Sequence, residues 1–296
     1  MPHKKRPLTP FILLAPSLAL LVFLVAYPIG FSLFYSFHAW DLARGPEPQG
    51  FVGLANYITL VTDPHFQNAI WVTMKFAFTA VGIQVLAGMG AALLFNKPLR
   101  GIGVMRSLLI LPTAVAPIIS ALLFRYMYYQ ALGTGIIPWA LAQIGIKTPA
   151  KGILGDTSTA LLGVIMTDVW IWTPFFIIAY IAGLQSVPIE QLEAAKVDGA
   201  GPLQIFRYVT LPHMRRLIAI VFIIFFMQEF NVFDIIFALT HGGPGETTTT
   251  LSFYLYRQGL EYYNIGYAAA LTWVIALIIL VIVNIYFYFA FRGVKV

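Results

Sequence analysis

The chain has no cysteine in its 296 residues. That excludes disulfides, zinc–thiolate sites and thiol catalysis, and it leaves the redox compartment open. Charge is nearly as scarce: Asp, Glu, Lys and Arg together make up 10% of the residues, where a soluble domain carries roughly 25%. No Gly-x-x-x-x-Gly-Lys-Ser/Thr phosphate loop occurs, so the chain has no evident ATP site of its own. The histidines stand at 3, 38, 65, 213 and 241, among loops and segment ends, without metal-ligand spacing or a nucleophile motif nearby. Low-complexity tracts are missing, and so is the internal repeat that marks many secondary transporters. No catalytic residue and no metal ligand emerges.

What the chain has is apolar surface: 59% of residues are hydrophobic and 15% aromatic. Such a chain cannot hide that surface in water, which makes it an integral membrane protein. Six apolar segments reach the roughly 20 residues a crossing needs: residues 11–37, 71–95, 107–129, 160–184, 217–239 and 265–291. Each is expected to be a helix, because a lone apolar run cannot satisfy its backbone in lipid as a strand. The expected fold is all-α, one transmembrane domain over residues 1–296 with its core at 71–291. Lys4-Lys5-Arg6 before the first run resembles a signal peptide, but the run is too long and no small-x-small site follows closely. It reads as an uncleaved first helix.

The net charge of +6 sits in short clusters between apolar segments, a pattern of membrane orientation rather than of a nucleic-acid face. With the N-terminus inside, the cytoplasmic set is Lys4, Lys5, Arg6, Lys97, Arg100, Arg106, Lys196, Arg207, Arg215, Arg216, Arg292 and Lys295. The other side holds Arg44, Lys75, Arg125, Lys147, Lys151 and Arg257. Twelve against six is the bias of a chain with both termini in the cytoplasm. Three outer loops follow: 41–68, 130–159 with a short apolar stretch at 136–146, and the turn cluster that opens at His241-Gly242-Gly243-Pro244-Gly245. They either meet a partner protein or only connect helices. Pro16, Pro28, Pro112, Pro117 and Pro174 lie in or beside crossings, as hinges or as packing features.

One polar island, residues 186–216, interrupts the apolar pattern. Pro188 suits a helix start, and Glu190, Gln191 and Glu193 follow where the helix dipole favours acids. Ala194-Ala195 leaves a surface with little bulk, Gly199-Ala200-Gly201-Pro202 breaks the helix, and a second short helix, 203–209, is expected to stop near Pro212. A small-faced helix–turn–helix on the cytoplasmic side is shaped to enter a cleft of a soluble protein.

Glu193-Ala194-Ala195, three residues, Gly199, nine residues and Val209-x-Leu211-Pro212 resemble the EAA loop of ATP-binding-cassette importer permeases, with Val209 where Ile is usual. Phe51-Val52-Gly53-Leu54-x-Asn56-Tyr57, Leu111-Pro112, Phe233-Asp234 and the stretch from Thr240 to Pro244 before Tyr267-Ala268-Ala269-Ala270 are similar to the sugar-uptake permeases of that superfamily. The resemblance runs from about residue 10 to 292 and implies the type I (MetI-like) importer fold. It also implies partners: a second, homologous permease, a dimer of ATP-binding subunits that hold ATP and magnesium, and an extracytoplasmic solute-binding protein. The setting would be a bacterial or archaeal cytoplasmic membrane. Glu193 would be the acidic anchor on the ATPase, Ala194 and Ala195 the close-contact surface, Gly199 the turn, with Asp198, Leu211 and Pro212 completing the coupling set.

Ionisable residues deep in a membrane are costly and usually face a cavity or a partner. Asp168, Trp172 and Phe175 fall at spacings of four and three on the fourth crossing and share a face. Carboxylates beside aromatic rings suit the hydroxyls and apolar faces of sugars. Gln228, Glu229 and Asn231 form a polar patch on the fifth. In the maltose-type permeases these two crossings carry the transport site, and alignment on the Gly-Gly-Pro turn and on Trp170 and Pro174 brings Glu229, Trp172 and Phe175 to site positions. The side-chain types differ from the family pattern, which leaves the ligand open. Alternatively Asp168 hydrogen-bonds within the bundle and Asp234 holds a helix end. The expected function is import of a sugar, oligosaccharide, glycoside or polyol. Alternatives are the same role for glycerol-3-phosphate, favoured by similarity of Leu111–Pro117 to glycerol-phosphate permeases, an ion-coupled transporter using Asp168, Glu229 and Asp234, or a membrane-embedded enzyme.

Overall fold

The computed structural model describes residues 9–96, 101–129 and 135–291. Lys4, Lys5, Arg6, Lys97, Arg100, Arg292 and Lys295, counted above for orientation, lie outside the described residues, as do residues 130–134 of the second loop. The elements run α1 (Thr9–Leu21), a π-turn (Val22–Ala26), α2 (Tyr27–Ser36), β1 (His38–Ala39), β2 (Gly50–Phe51), α3 (Ala55–Thr62), α4 (Pro64–Phe95), α5 (Ile102–Ala114), α6 (Pro117–Tyr128) and α7 (Ile136–Gln143). They continue as α8 (Ala160–Gln185), α9 (Ile189–Val197), α10 (Pro202–Ile205), a π-turn (Phe206–Thr210), α11 (Leu211–Glu229), α12 (Asp234–Leu239), α13 (Leu251–Tyr256) and α14 (Ile265–Phe291).

Among the described residues, five helices are long and apolar enough to cross a membrane: Leu13–Ser36, Pro64–Phe95, Ala160–Gln185, Pro202–Glu229 and Ile265–Ala290. A sixth crossing exists if α5 and α6 act as one, although they meet at 95°. The span expected at 107–129, with Pro112 and Pro117 as hinge candidates, is therefore bent. Its cause is local: Pro117 excludes the α region for the residue before it, and Val115 and Ala116 are extended, with ψ of 133° and 134°.

Two further boundaries move. The fifth crossing, expected at 217–239, begins at Pro202 and ends at Glu229. The helix expected to stop near Pro212 instead runs through it. A proline ring clashes with the carbonyl four residues earlier, and a wide π-turn relieves that clash. Such a turn precedes Pro212 at Phe206–Thr210, and another precedes Pro28 at Val22–Ala26. At the far end, residues 230–233 leave the helix before α12. The carbonyls this frees are taken up by side chains: Ser252 Oγ donates to Phe230 O at 2.8 Å and Thr250 Oγ1 to Val232 O at 3.2 Å. Irregular backbone inside a membrane protein is tolerated only where hydrogen bonds are restored in this way.

The chain divides into two compact units, residues up to Asp63 with Leu255–Leu277, and Pro64–Tyr254 with the residues from Ile278 on. In the first, the Asn56 amide donates to Ser36 O and His38 O, each at 2.9 Å, closing the end of α2. The Ser36 and Tyr57 hydroxyls meet at 2.7 Å, and the Tyr267 hydroxyl donates to Asp63 at 2.7 Å. A Cβ on Gly266 would stand 2.2 Å from His38 O, so only glycine fits there. The motifs at 51–57 and 267–270 thus hold loop to helix.

The second unit is built around α8, with 56% of its most apolar window buried. Phe176, Ile177, Tyr180, Ile181 and Leu184 on α8 pack with Val81 of α4 and with Met214, Val221 and Phe225 of α11. In lipid, helices are held by close van der Waals packing more than by expulsion of water, so small residues mark the tightest crossings. A Cβ on Gly88 of α4 would come within 2.5 Å of the Phe176 Cβ, and one on Gly183 of α8 within 2.4 Å of Leu217. Before α8, the Ser158 hydroxyl and amide both donate to Asp156, which holds that carboxyl below the ordinary range.

Candidate functional site

Where α11 breaks off, a cleft of about 120 Å³ opens between it and α8. It is lined by Asp168 and Trp172 of α8, by Gln228, Glu229, Asn231, Val232, Phe233, Asp234 and Ile235 at and beyond the break, and by Pro117 of α6. Five of the six residues proposed from sequence for the solute path, Asp168, Trp172, Gln228, Glu229 and Asn231, thus come together. Phe175 does not join them: it is half-exposed, and its ring lies 5.0 Å from Phe225. Trp172 packs edge-on against the same Phe225 at 5.7 Å. The volume is below the roughly 300 Å³ at the lower end of small-molecule pockets.

Asp168 and Glu229 are buried to within 1% of full occlusion, and their side chains are within hydrogen-bonding reach of each other. The third member of this group was not foreseen. Gln84 of α4, also wholly buried, donates from Nε2 to Asp168 Oδ2 at 2.7 Å. Asp168 therefore does bond within the bundle while lining the cleft. Asp234, half of the Phe233-Asp234 pair, sits in the first turn of α12, where the helix dipole favours an acid.

The polar island forms a second site. α9 has no buried residue, carries Glu190 in its first turn and Lys196 in its last, and follows Pro188 as N-cap. Its end is a left-handed cap: Gly199 has φ +80°, its N–H reaches Lys196 O at 3.0 Å, and Ala200 N–H reaches Ala195 O at 2.9 Å. The Gln204 side chain accepts from the Gly201 amide at 2.7 Å and starts α10. A groove of about 500 Å³ runs between α9 and the helix that follows, lined by Gln191, Ala194, Ala195, Asp198, Tyr208, Val209, Pro212 and His213. Of the residues proposed for coupling, Ala194, Ala195, Asp198 and Pro212 line it. Glu193 stands exposed on α9, Gly199 shapes the cap and Leu211 opens α11.

The family model described as "Binding-protein-dependent transport system inner membrane component" matches residues 84–293. The chain belongs to that family. It is a multi-pass permease component of a binding-protein-dependent import system. The trehalose/maltose transport system permease protein MalF of Thermococcus litoralis is 34% identical over 86% of this chain and 83% of its own length. The sn-glycerol-3-phosphate transport system permease protein UgpA of Yersinia pestis is 32% identical over 97% of this chain and 95% of its own. The crystal structure of a bacterial ABC transporter involved in import of the acidic polysaccharide alginate contains a chain of the same fold, at a TM-score of 0.80 and 23% identity over 97% of this chain and 96% of that one.

Among the described residues of the permease, no group of three or more His, Cys, Asp or Glu is placed to hold a metal. Several residues at the two sites, Val232 and Ile235 of the cleft wall among them, carry no sequence signal for their place there. Gln84 is a single amide in an apolar run, and only its depth in the span signals it. Gln191, Tyr208 and His213 join the groove because α9 folds back beside α11, a contact that spacing along one helix does not reveal.

Proposed function

We propose that the permease supplies half of the translocation path of an ATP-driven importer for a sugar, oligosaccharide, glycoside or polyol. It works as one transmembrane domain with residues 186–216 as its coupling loop. A second, homologous permease forms the other half, a dimer of ATP-binding subunits holds ATP and magnesium, and an extracytoplasmic binding protein delivers the solute. The family supports a bacterial or archaeal inner-membrane setting, and the Lys/Arg bias supports both termini and α9 in the cytoplasm.

The observation that carries this reading is α9, a fully surface-lying helix with a small Ala194-Ala195 face on an open groove. Closure of the ATP-binding subunits would move α9, and α10–α11 with it, since the helix from Pro202 to Glu229 is continuous and ends at the cleft. Movement at the groove is thereby delivered to Gln228 and Glu229. Permeases named for a neutral disaccharide and for a phosphorylated triol stand at similar identity to the chain, 34% and 32%. The carbohydrate reading leads because aromatic Trp172 and carboxyl and amide groups share the cleft wall.

In proteoliposomes holding the whole complex, uptake of labelled trehalose or maltose is expected to require internal ATP and the binding protein, and to persist when an uncoupler collapses the ion gradients. Uptake that follows the gradient with ATP withdrawn would instead make Asp168, Glu229 and Asp234 ion-coupling groups.

A further inference from the structure

Every ionisable residue that lines the cleft is an acid. Asp168, Glu229 and Asp234 contribute three carboxyl groups, and no Lys, Arg or His stands among the lining residues. A phosphate or carboxylate is held by cationic side chains or by several N–H donors turned to it. The donors here are few and partly committed: Asn231 Nδ2 already donates to Met227 O at 3.1 Å, and Gln84 Nε2 to Asp168 at 2.7 Å.

Acceptors, by contrast, are in surplus. Gln84 Oε1, Asp168 Oδ1 and Glu229 Oε1 are buried oxygens without a hydrogen-bond partner, on three different helices; a proton shared between the adjoining Asp168 and Glu229 carboxyls serves only that pair and leaves Gln84 Oε1 open. Native proteins rarely leave such groups unpaired, and a gathering of them marks a place that calls for donors from elsewhere. Gln84 is the decisive member. It is an amide rather than an acid, it is wholly buried, and one half of it fixes Asp168 while the other half is left open.

We propose that the cleft is an anion-excluding filter. It accepts neutral or cationic groups rich in hydrogen-bond donors, such as sugar hydroxyls or an amine, and rejects phosphate- and carboxylate-bearing solutes. Asp234 and the Asp168–Glu229 pair, two adjoining buried carboxyls that hold about one charge between them, set the sign of the field, and Gln84 is a positioning residue that holds Asp168. The filter rests on the reading that the cleft lies on the solute's path.

The absence of native cysteine makes a direct test available. Asn231→Cys is made in the full complex, and its modification is read by the mass of this chain. Two methanethiosulfonate reagents of similar size are compared, one with a trimethylammonium head and one with a sulfonate head. Each rate is normalised to that of a small free thiol. A focused acidic cleft should favour the cationic reagent by about tenfold or more. Glu229→Gln with Asp168→Asn should bring that preference most of the way to unity. Where the double variant fails to assemble, the more exposed Asp234→Asn should lower it alone. Gln84→Leu should alter the preference, and Gln84→Asn should restore part of it, which a purely structural role would not do. Equal or faster reaction with the sulfonate reagent overturns the filter while leaving the path reading in place. Failure of both reagents to reach the thiol in any nucleotide state overturns the path reading, and the filter with it.

Discussion

Glu193→Lys is expected to abolish coupled uptake while leaving the permease in the membrane at its usual level. Glu193 is exposed on α9, so the change removes no internal contact and the fold has no reason to fail. In the proposed complex, however, it meets the ATP-binding subunit. Removing one partner of an interfacial charge pair costs about 2–5 kcal/mol, and at the lower end of that range binding weakens roughly 30-fold. Reversing the sign adds repulsion. Stimulation of ATP hydrolysis by the loaded binding protein should fall with uptake, and Glu193→Gln should fall between the two. Normal stimulated hydrolysis and normal uptake in Glu193→Lys would remove Glu193 from the interface.

The second large effect belongs to the cleft. Trp172→Ala takes the indole, the larger of the two aromatic rings (Trp172 and Phe233) on its wall, together with the edge-on contact to Phe225. An aromatic contact contributes about 0.5–1.5 kcal/mol beyond the area it buries, so loss of the ring should weaken apparent affinity for solute about tenfold. Trp172→Phe keeps a ring and should recover most of it. Assembly with the partner subunits should persist in both, because Trp172 is only half-buried and the core around Phe176 and Tyr180 is untouched. Unchanged apparent affinity and rate in Trp172→Ala would take it off the solute's path.

Much of this architecture follows from one-dimensional rules. Apolar runs of about 20 residues locate the crossings because lipid leaves a helix no alternative. The break at Pro117 and the cap at Gly199 follow from the backbone limits of one residue each. What could not be read depended on partners remote in sequence. The helix break at 230–233 needs Thr250 and Ser252 to take up its carbonyls, some twenty residues later. Continuity through Pro212 depends on a π-turn, a local adjustment with no sequence signature of its own. Gln84 acquires meaning only when α4 and α8 pack and bring it to Asp168, eighty-four residues on. At the cleft, spacing on α8 grouped Asp168 with Trp172, and both line its wall. That spacing also included Phe175, which is half-exposed and is not among the residues that line the cleft.

The central claim is that α9 docks into a partner ATPase and that this contact drives the permease. In a chain without cysteine, Ala194→Cys places a single thiol on the exposed small face of α9. Maleimide modification is then timed in membranes with and without the ATP-binding subunits, with Leu54→Cys, exposed in the other unit, as the reference. Docking predicts that the subunits slow modification at Ala194→Cys by about tenfold or more, equivalent to some 1.4 kcal/mol of protection, and that nucleotide alters the rate while Leu54→Cys is unaffected. A thiol at position 194 that reacts equally fast in both membranes would contradict the account.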